Sequence, residues 1–474
     1  DMPLRTVFVP FNSTNKYSFA GVMGAQEYTL AKGAPEKLVD LCDYYWDEAG
    51  RNLPLTEAMK QTLDGRMLQL AGKAIRMLAL CTYPQIVDDT KLPAEGLTLV
   101  GILAIRDEVR PEAVEAIRQV QSAGVQIVMI TGDRKETAVA IAKDAGLLQR
   151  PQDQVWTSQS LAAMTDEEIK LNLRHLRVVS RALPLDKLRL VKLSQEMNLV
   201  VGMTGDGVND SPALKRADVG FAMGSGTEVA KEAGDIVILD DNFLSIKKAI
   251  LYGRTIYNSI CKFIVFQLSI NFSAVLINFI APFIGIERPL TIIQILWINL
   301  VMDTLAALAF GGEPALEKYM EEKPKERSGP LVSKSMLASI VLSGLWMTFV
   351  AVIFYKSAWV DSLFRSAPDH IYTYTGFFCA YIFMAVANGF NVRVEGLNLL
   401  DHIRRNMGFV NVMGGIIFIQ ILLTFAGGRV LRTAPLNGQE WGVVLLCALS
   451  MLAVDMLRKI GRKLLGLEGA TNKS

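Results

Sequence analysis

The chain has 474 residues, 51% of them apolar, and a formal net charge of only +2. The length exceeds one ordinary domain, the positive mean hydropathy excludes a wholly soluble protein, and the near-neutral charge gives no case for nucleic acid. Cys42, Cys81, Cys261, Cys379 and Cys447 are scattered without a CxxC pair, which argues against a structural zinc site or a disulfide framework and fits a reducing compartment for the soluble part.

Residues 1–98 mix short β patterns, RTVFVPFNSTNKYSFAGVM and EYTLAKGAPEKLVDLC, with a helix expected around residues 56–80. In RDEVRPEA, Pro111 is expected to open a helix, with Asp107 and Arg110 in a hinge before it. VQIVMITGDRKETAVAIAKDAGL (residues 125–147) is an apolar β-branched run, then Thr131, Gly132 and Asp133, then an amphipathic helix. Thr131 would offer a hydroxyl and a backbone N–H to a phosphoryl oxygen near a helix N-terminus. Lys187 opens a helix in SRALPLDKLRLVKL, where an ammonium neutralises charge on a transferring phosphoryl group. VGMTGDGVNDSPAL (residues 201–214) reads as a buried strand, a loop with Asp206, Asn209 and Asp210, and a helix. Two carboxylates and an amide at a strand end suit Mg²⁺, which takes oxygen ligands alongside a phosphate. Gly205 and Gly207 let the backbone turn around it. Repeated strand–loop–helix units build a parallel sheet with a ligand crevice at its strand ends.

Apolar residues concentrate toward the C-terminus, in six stretches near bilayer-spanning length: residues 258–283, 289–309, 336–355, 371–390, 408–427 and 441–457. The first two contain Asn271, Asn299 and Asp303. Lys318, Lys323, Lys325, Arg327, Arg393, Arg404, Arg405, Arg458, Lys459, Arg462 and Lys463 fall in alternate loops and the tail. Positive charge concentrates on cytoplasmic sides, so the soluble half and the C-terminus are both expected there, in a multi-pass protein of the cell membrane. Intramembrane ionisable groups mark ion pathways; Asn299 and Asp303, four residues apart, would share a helix face. With Asn271 they form an oxygen set suited to Ca²⁺ or a related hard cation rather than a soft ion. His175, His370 and His402 receive no role.

TGDRKETA, the lysine after a proline, and MTGDGVNDSPALKRADVGFAMGSGTEVAKEAGDIVILDDNF resemble the phosphorylation domain of P-type cation-transporting ATPases, which has a haloacid dehalogenase-like fold. KGAPE (residues 32–36) and NLVMDTLAALAFGGEP (residues 299–314) extend the resemblance over essentially the whole chain. It implies a multidomain α/β plus membrane α protein. Residues 1–105 would be the C-terminal part of a nucleotide-binding domain, 106–256 a parallel-sheet phosphorylation domain, and 257–474 a six-helix transmembrane bundle with a cytoplasmic tail. It also implies ATP and Mg²⁺ as cofactors: Phe11 stacking on adenine, Lys16 and Lys32 lining the pocket, Gly33 admitting the base, Arg76 reaching the phosphates. Arg181 is expected to join Thr131, Gly132, Asp133 and Lys187 around the phosphates, while Asp206 and Asp210 hold Mg²⁺ with Asn209 in support.

The family's DKTGT nucleophile, its TGE loop and its first four membrane helices are not in this sequence. The chain therefore reads as the C-terminal part of a pump, a fragment or half of a split chain, inactive until the missing N-terminal part supplies the aspartate. QLSINFSAVL and LWINLVMDTLAALAFG look most like plasma-membrane-type calcium pumps, whereas the nucleotide edge and DSPAL look more like sodium/potassium pumps. Ala274 and Ala385 stand where two-site calcium pumps carry acidic ligands, so the resemblance implies one transported Ca²⁺. A pump for Mn²⁺, Mg²⁺ or Na⁺ remains an alternative, as does a truncated, non-catalytic nucleotide-binding membrane protein.

Overall fold

The computed structural model describes residues 4–11, 15–24, 26–71, 75–105, 108–286 and 289–465. They fall in two compact units, Asp1–Lys247 and Lys248–Ser474.

The first unit opens with β1 (Leu4–Val9), β2 (Tyr17–Met23), β3 (Glu27–Gly33), β4 (Cys42–Trp46) and β5 (Asn52–Pro54). After α1 (Glu57–Ala71) come β6 (Arg76–Tyr83) and β7 (Leu97–Ile105), completing a seven-stranded sheet of order β1-β2-β3-β6-β7-β4-β5. Its core gathers Phe19, Leu38, Cys42, Ala79, Cys81 and Leu97. The helix expected over residues 56–80 ends at Ala71, and RMLALCTY is a strand instead. Ala79 and Cys81 are buried while Leu78, Leu80 and Thr82 are only half-buried, a period of two that β3 and β7 exploit by pairing on either side. Hence Arg76 opens a strand; its side chain, like Asp107, lies outside the described residues.

The rest of this unit alternates strands and helices. α2 (Pro111–Ser122) has proline in its first turn and buries Ala116, Ile117 and Val120. Then follow β8 (Met129–Ile130), α3 (Lys135–Asp144), β9 (Gln154–Thr157), β10 (Leu176–Ser180) and α4 (Pro184–Glu196). The series ends with β11 (Gly202–Gly205), α5 (Ser211–Arg216), β12 (Val219–Met223), α6 (Glu228–Ala233) and β13 (Ile236–Ile238). They form two parallel three-stranded sheets, β8-β10-β9 and β11-β12-β13. Only two residues of the VQIVMI run pair as strand, because β8 is an edge with β10 as its single partner among the described residues.

Among the described residues, five helices are long and apolar enough to cross a bilayer. The first is α7 (Phe243–Ile280), continued by a 3₁₀ turn to Ile284. The second joins α8 (Ile292–Leu296) to α9 (Asp303–Gly311) through a π-helical segment, Trp297–Met302. The others are α10 (Lys334–Lys356), then, after the short α11 (Ala358–Ser362), α12 (Ile371–Arg393), and α13 (Met407–Ala426). A further helix, α14 (Gly438–Leu464), packs along α12. α12 is apolar nearly all round and buried nearly all round, the centre on which α10, α13 and α14 assemble. At one end Glu313, buried, accepts hydrogen bonds from Lys262 Nζ (2.9 Å) and Asn406 Nδ2 (3.0 Å). That ties α7 and the cap of α13 to the loop after α9.

Candidate functional site

A cleft of 590 Å³ in the first unit is lined by Phe11, Lys16, Lys32, Gly33, Leu78 and Arg134, among others. Phe11 is 65% exposed, a ring free to stack. Lys16 takes a left-handed φ of 62° and its ammonium lies 3.6 Å from Glu36. Its carbonyl accepts the Ala34 N–H at 2.9 Å, closing the β2–β3 end around the cleft. Gly33 is fixed by this closure: a Cβ there would meet the Lys16 carbonyl at 2.6 Å and Tyr17 Cα at 2.7 Å. Lys32 is exposed at the rim.

The loops after β8 and β10 are zipped together. Thr131 N–H donates to the Val179 carbonyl (2.9 Å), Ala182 N–H to the Thr131 carbonyl (3.0 Å), and Arg181 N–H to the Asp133 carbonyl (3.0 Å). The Thr131 N–H expected to face a phosphoryl oxygen is therefore committed to the sheet, which leaves the hydroxyl, 3.1 Å from Asp133 Oδ2. Gly132 is exposed, with no atom within 4 Å of where a Cβ would sit. Arg181 is exposed and left-handed at φ 54°.

After β11, Asp210 is the anchor. It is 5% exposed, and its Oδ1 accepts Lys187 Nζ at 2.5 Å, reaching across from α4. Its Oδ2 accepts the N–H groups of Asp206 and Gly207, both at 3.3 Å. Both oxygens of this expected Mg²⁺ ligand are thus used inside the protein. Gly205 permits it, since a Cβ there would collide with the Asp210 side chain. Asp206 differs: it is exposed, and its carboxylate has no partner among the described residues. Asn209 is exposed beside it. Asp206 thus presents an exposed carboxylate, of the oxygen-ligand type Mg²⁺ takes, on a loop that Asp210 holds from behind. Lys187, with one of its three protons on Asp210, keeps two for a phosphoryl oxygen.

In the second unit, Asp303 is 3% exposed at the start of α9, and among the described residues neither carboxylate oxygen has a hydrogen bond of good geometry. Gln267 on α7 faces it. Nearby, Tyr381 donates to the Ile270 carbonyl (2.9 Å), and Thr348 pairs with Ser273 (3.3 Å). Of the expected co-ligands, Asn271 is half-buried and Asn299 is exposed. Asn299 lies in the π-helical segment and Asp303 directly follows it. Such bulges recur at functional sites. A buried carboxylate that stays charged is strongly unfavourable, and a bound cation or a proton relieves it.

Three comparisons with known families meet this geometry. Residues 287–461 match the family described as cation transporting ATPase, C-terminus; residues 4–112 match P-type ATPase, cytoplasmic domain N; and residues 190–250 match haloacid dehalogenase-like hydrolase. The chain belongs to the P-type cation ATPases. Among similar proteins, calcium-transporting ATPase 12, plasma membrane-type, of Arabidopsis thaliana is 36% identical over 448 residues, covering 92% of this chain and 43% of that protein. Calcium-transporting ATPase 3, plasma membrane-type, of Oryza sativa subsp. japonica is 36% identical over 466 residues, covering 94% of this chain and 45% of that protein. The chain spans less than half the length of these relatives.

Within this P-type ATPase chain, some site-building residues escaped the motifs. Gly226 is one: a Cβ there would meet the Asp206 carbonyl at 2.8 Å. The Thr227 N–H donates to that same carbonyl at 2.8 Å, while its side chain caps α6. The SGTE sequence carried the capping signal, but not which loop it would press against. Arg134, one residue past the TGD motif, lines the same cleft as Phe11 and Lys32.

Proposed function

We propose that this chain is the C-terminal part of an ATP-driven pump that exports Ca²⁺ across the cell membrane through an aspartyl phosphate. The nucleophilic carboxylate comes from a segment outside these 474 residues. It attacks the terminal phosphorus of ATP, forming an acyl phosphate and releasing ADP; water then hydrolyses the acyl phosphate to restore the carboxylate. Phe11, Lys16, Lys32, Gly33 and Arg76 bind the nucleotide, with Arg134 completing the cleft wall. The Thr131 hydroxyl, Gly132, Asp133, Arg181 and Lys187 orient and neutralise the transferred group, since such transfer depends mainly on positioning and charge. Asp206, supported by Asn209 and Asp210, would hold Mg²⁺, which supplies further neutralisation of phosphate charge.

One observation carries the cation reading: the Asp303 carboxylate is buried in the helix bundle with Gln267 facing it and no hydrogen bond of good geometry among the described residues. Carboxylate and amide oxygens suit hard cations, and Ca²⁺ is favoured by what the relatives' names say of those proteins. Asn271 and Asn299 would join Asp303 as oxygen ligands. α14 serves as a sixth span: its 27 residues extend about 40 Å against a hydrocarbon core of about 30 Å. In the complete pump, Asp303→Asn should abolish Ca²⁺-dependent phosphorylation by ATP while leaving ATP binding intact. Phosphorylation with normal Ca²⁺ dependence in that variant contradicts the reading, and stimulation by Mn²⁺ or Na⁺ but not Ca²⁺ in the parent reassigns the ion.

A further inference from the structure

A second cleft, also 590 Å³, lies wholly in the membrane-like unit and has a different character. Lys356, the last residue of α10, Arg432, just beyond α13, and His370, just before α12, line it together with Asp361, Thr373 and Gly285. The motifs assigned none of them a role. The side chains of Lys356 and Arg432 have no hydrogen bond or ion pair among the described residues.

Among the described residues, the one carboxylate in the cleft wall is already engaged. Asp361 Oδ1 accepts the Thr373 hydroxyl at 2.6 Å and faces His370 Nδ1 at 3.2 Å. Those contacts, the Thr373 hydroxyl first, hold its pKa below the ordinary aspartate value. It cannot also neutralise both cations, so the described wall carries a surplus of positive charge whether or not His370 is protonated. Lys356 and Arg432 are both exposed, open to a ligand from solvent. Gly285 is left-handed at φ 71°, and a Cβ on it would sit 3.7 Å from Lys356 Nζ, so the ammonium lies over that turn. Arg432, a non-glycine residue, is held at φ 53°, a conformation rare enough to mark a constrained position.

We propose that this cleft binds a phosphate group through Arg432 and Lys356. The guanidinium fork takes two oxygens and the ammonium adds a point charge. A doubly charged phosphate neutralises both cations, whereas a carboxylate would leave one unpaired. The group comes from inorganic phosphate in solution or from a phosphomonoester lipid headgroup such as phosphatidic acid; the recognition chemistry is shared.

The test uses the whole chain in phosphatidylcholine nanodiscs at constant ionic strength, with thermal unfolding followed as inorganic phosphate is titrated. A parallel arm replaces part of the lipid with phosphatidic acid and omits phosphate. A saturable rise in unfolding temperature is expected in at least one arm, and the responding arm identifies the source. Lys356→Gln with Arg432→Gln should weaken the apparent affinity at least tenfold. Lys334→Gln with Arg404→Gln, cations outside the cleft, should leave it unchanged. Because the first pair could perturb folding, Lys356→Arg with Arg432→Lys, which keeps both charges, should retain binding. Equal affinity in parent and Gln variants, or no saturable response in either arm, overturns the proposal.

Discussion

Asp210 and Asp206 are both acidic, four residues apart in one loop, yet the structure predicts opposite consequences for Asp→Asn at the two positions. The Asp210 side chain is 8% exposed and receives the Lys187 ammonium, itself 18% exposed, at 2.5 Å. Removing the charge of one partner in a buried pair costs about 3–5 kcal/mol, and the partial exposure of Lys187 argues for the low end. Asp210→Asn should therefore loosen the β11–α5 segment by roughly 3 kcal/mol, which is roughly a hundredfold faster local exchange. Asp206→Asn removes only an exposed carboxylate and should stay within about 0.5 kcal/mol. Hydrogen exchange by mass spectrometry on residues 202–214 reads this directly in the whole chain. Equal exchange in the two variants would refute the division of one loop into an anchor and a ligand.

Phe11→Ala should weaken ATP binding by about 1–3 kcal/mol, by analogy with base–aromatic stacking; unchanged affinity in calorimetry removes Phe11 from the nucleotide site. Gly226→Ala places a Cβ 2.8 Å from the Asp206 carbonyl, so in the complete pump it should lower phosphoenzyme formation at limiting Mg²⁺ more than at saturating Mg²⁺; an equal loss at both points to a fold defect instead. The depressed pKa of Asp361 means its contacts stabilise the protein above the unfolded value of about 3.9 and are lost as pH falls through the lower folded value. Thr373→Val should accordingly lower thermal stability at neutral pH, with the gap to the parent closing below about pH 4; a gap that widens in acid contradicts the sign.

Short-range order was legible where local chemistry dictates it. Pro111 starts α2 as its fixed φ requires, and the GDG, TGD and DKL segments all end at helix starts. RMLALCTY was misread as helix because alanine and leucine suit either state, and its strand character comes from pairing with distant β3 and β7. The occupied N–H of Thr131 follows from a contact with Val179, 48 residues on, which no motif encodes. The π segment at Trp297–Met302 was equally hidden, since nothing in WINLVM distinguishes it from α-helix. His370 was set aside as isolated, although the fold brings Asp361 to within 3.2 Å of it.

The central claim is that Asp303 is the acidic heart of a single cation site. Ala385 is fully buried and Ala274 half-buried in the bundle, and neither offers a side-chain oxygen to a second divalent ion, whose charge would be uncompensated in a low-dielectric interior. The direct measurement is Ca²⁺ transported per ATP hydrolysed by the complete pump in sealed vesicles. A ratio near one, abolished by Asp303→Asn and kept by Ala385→Val, is the predicted result; a ratio clearly above one, or transport surviving Asp303→Asn, contradicts it.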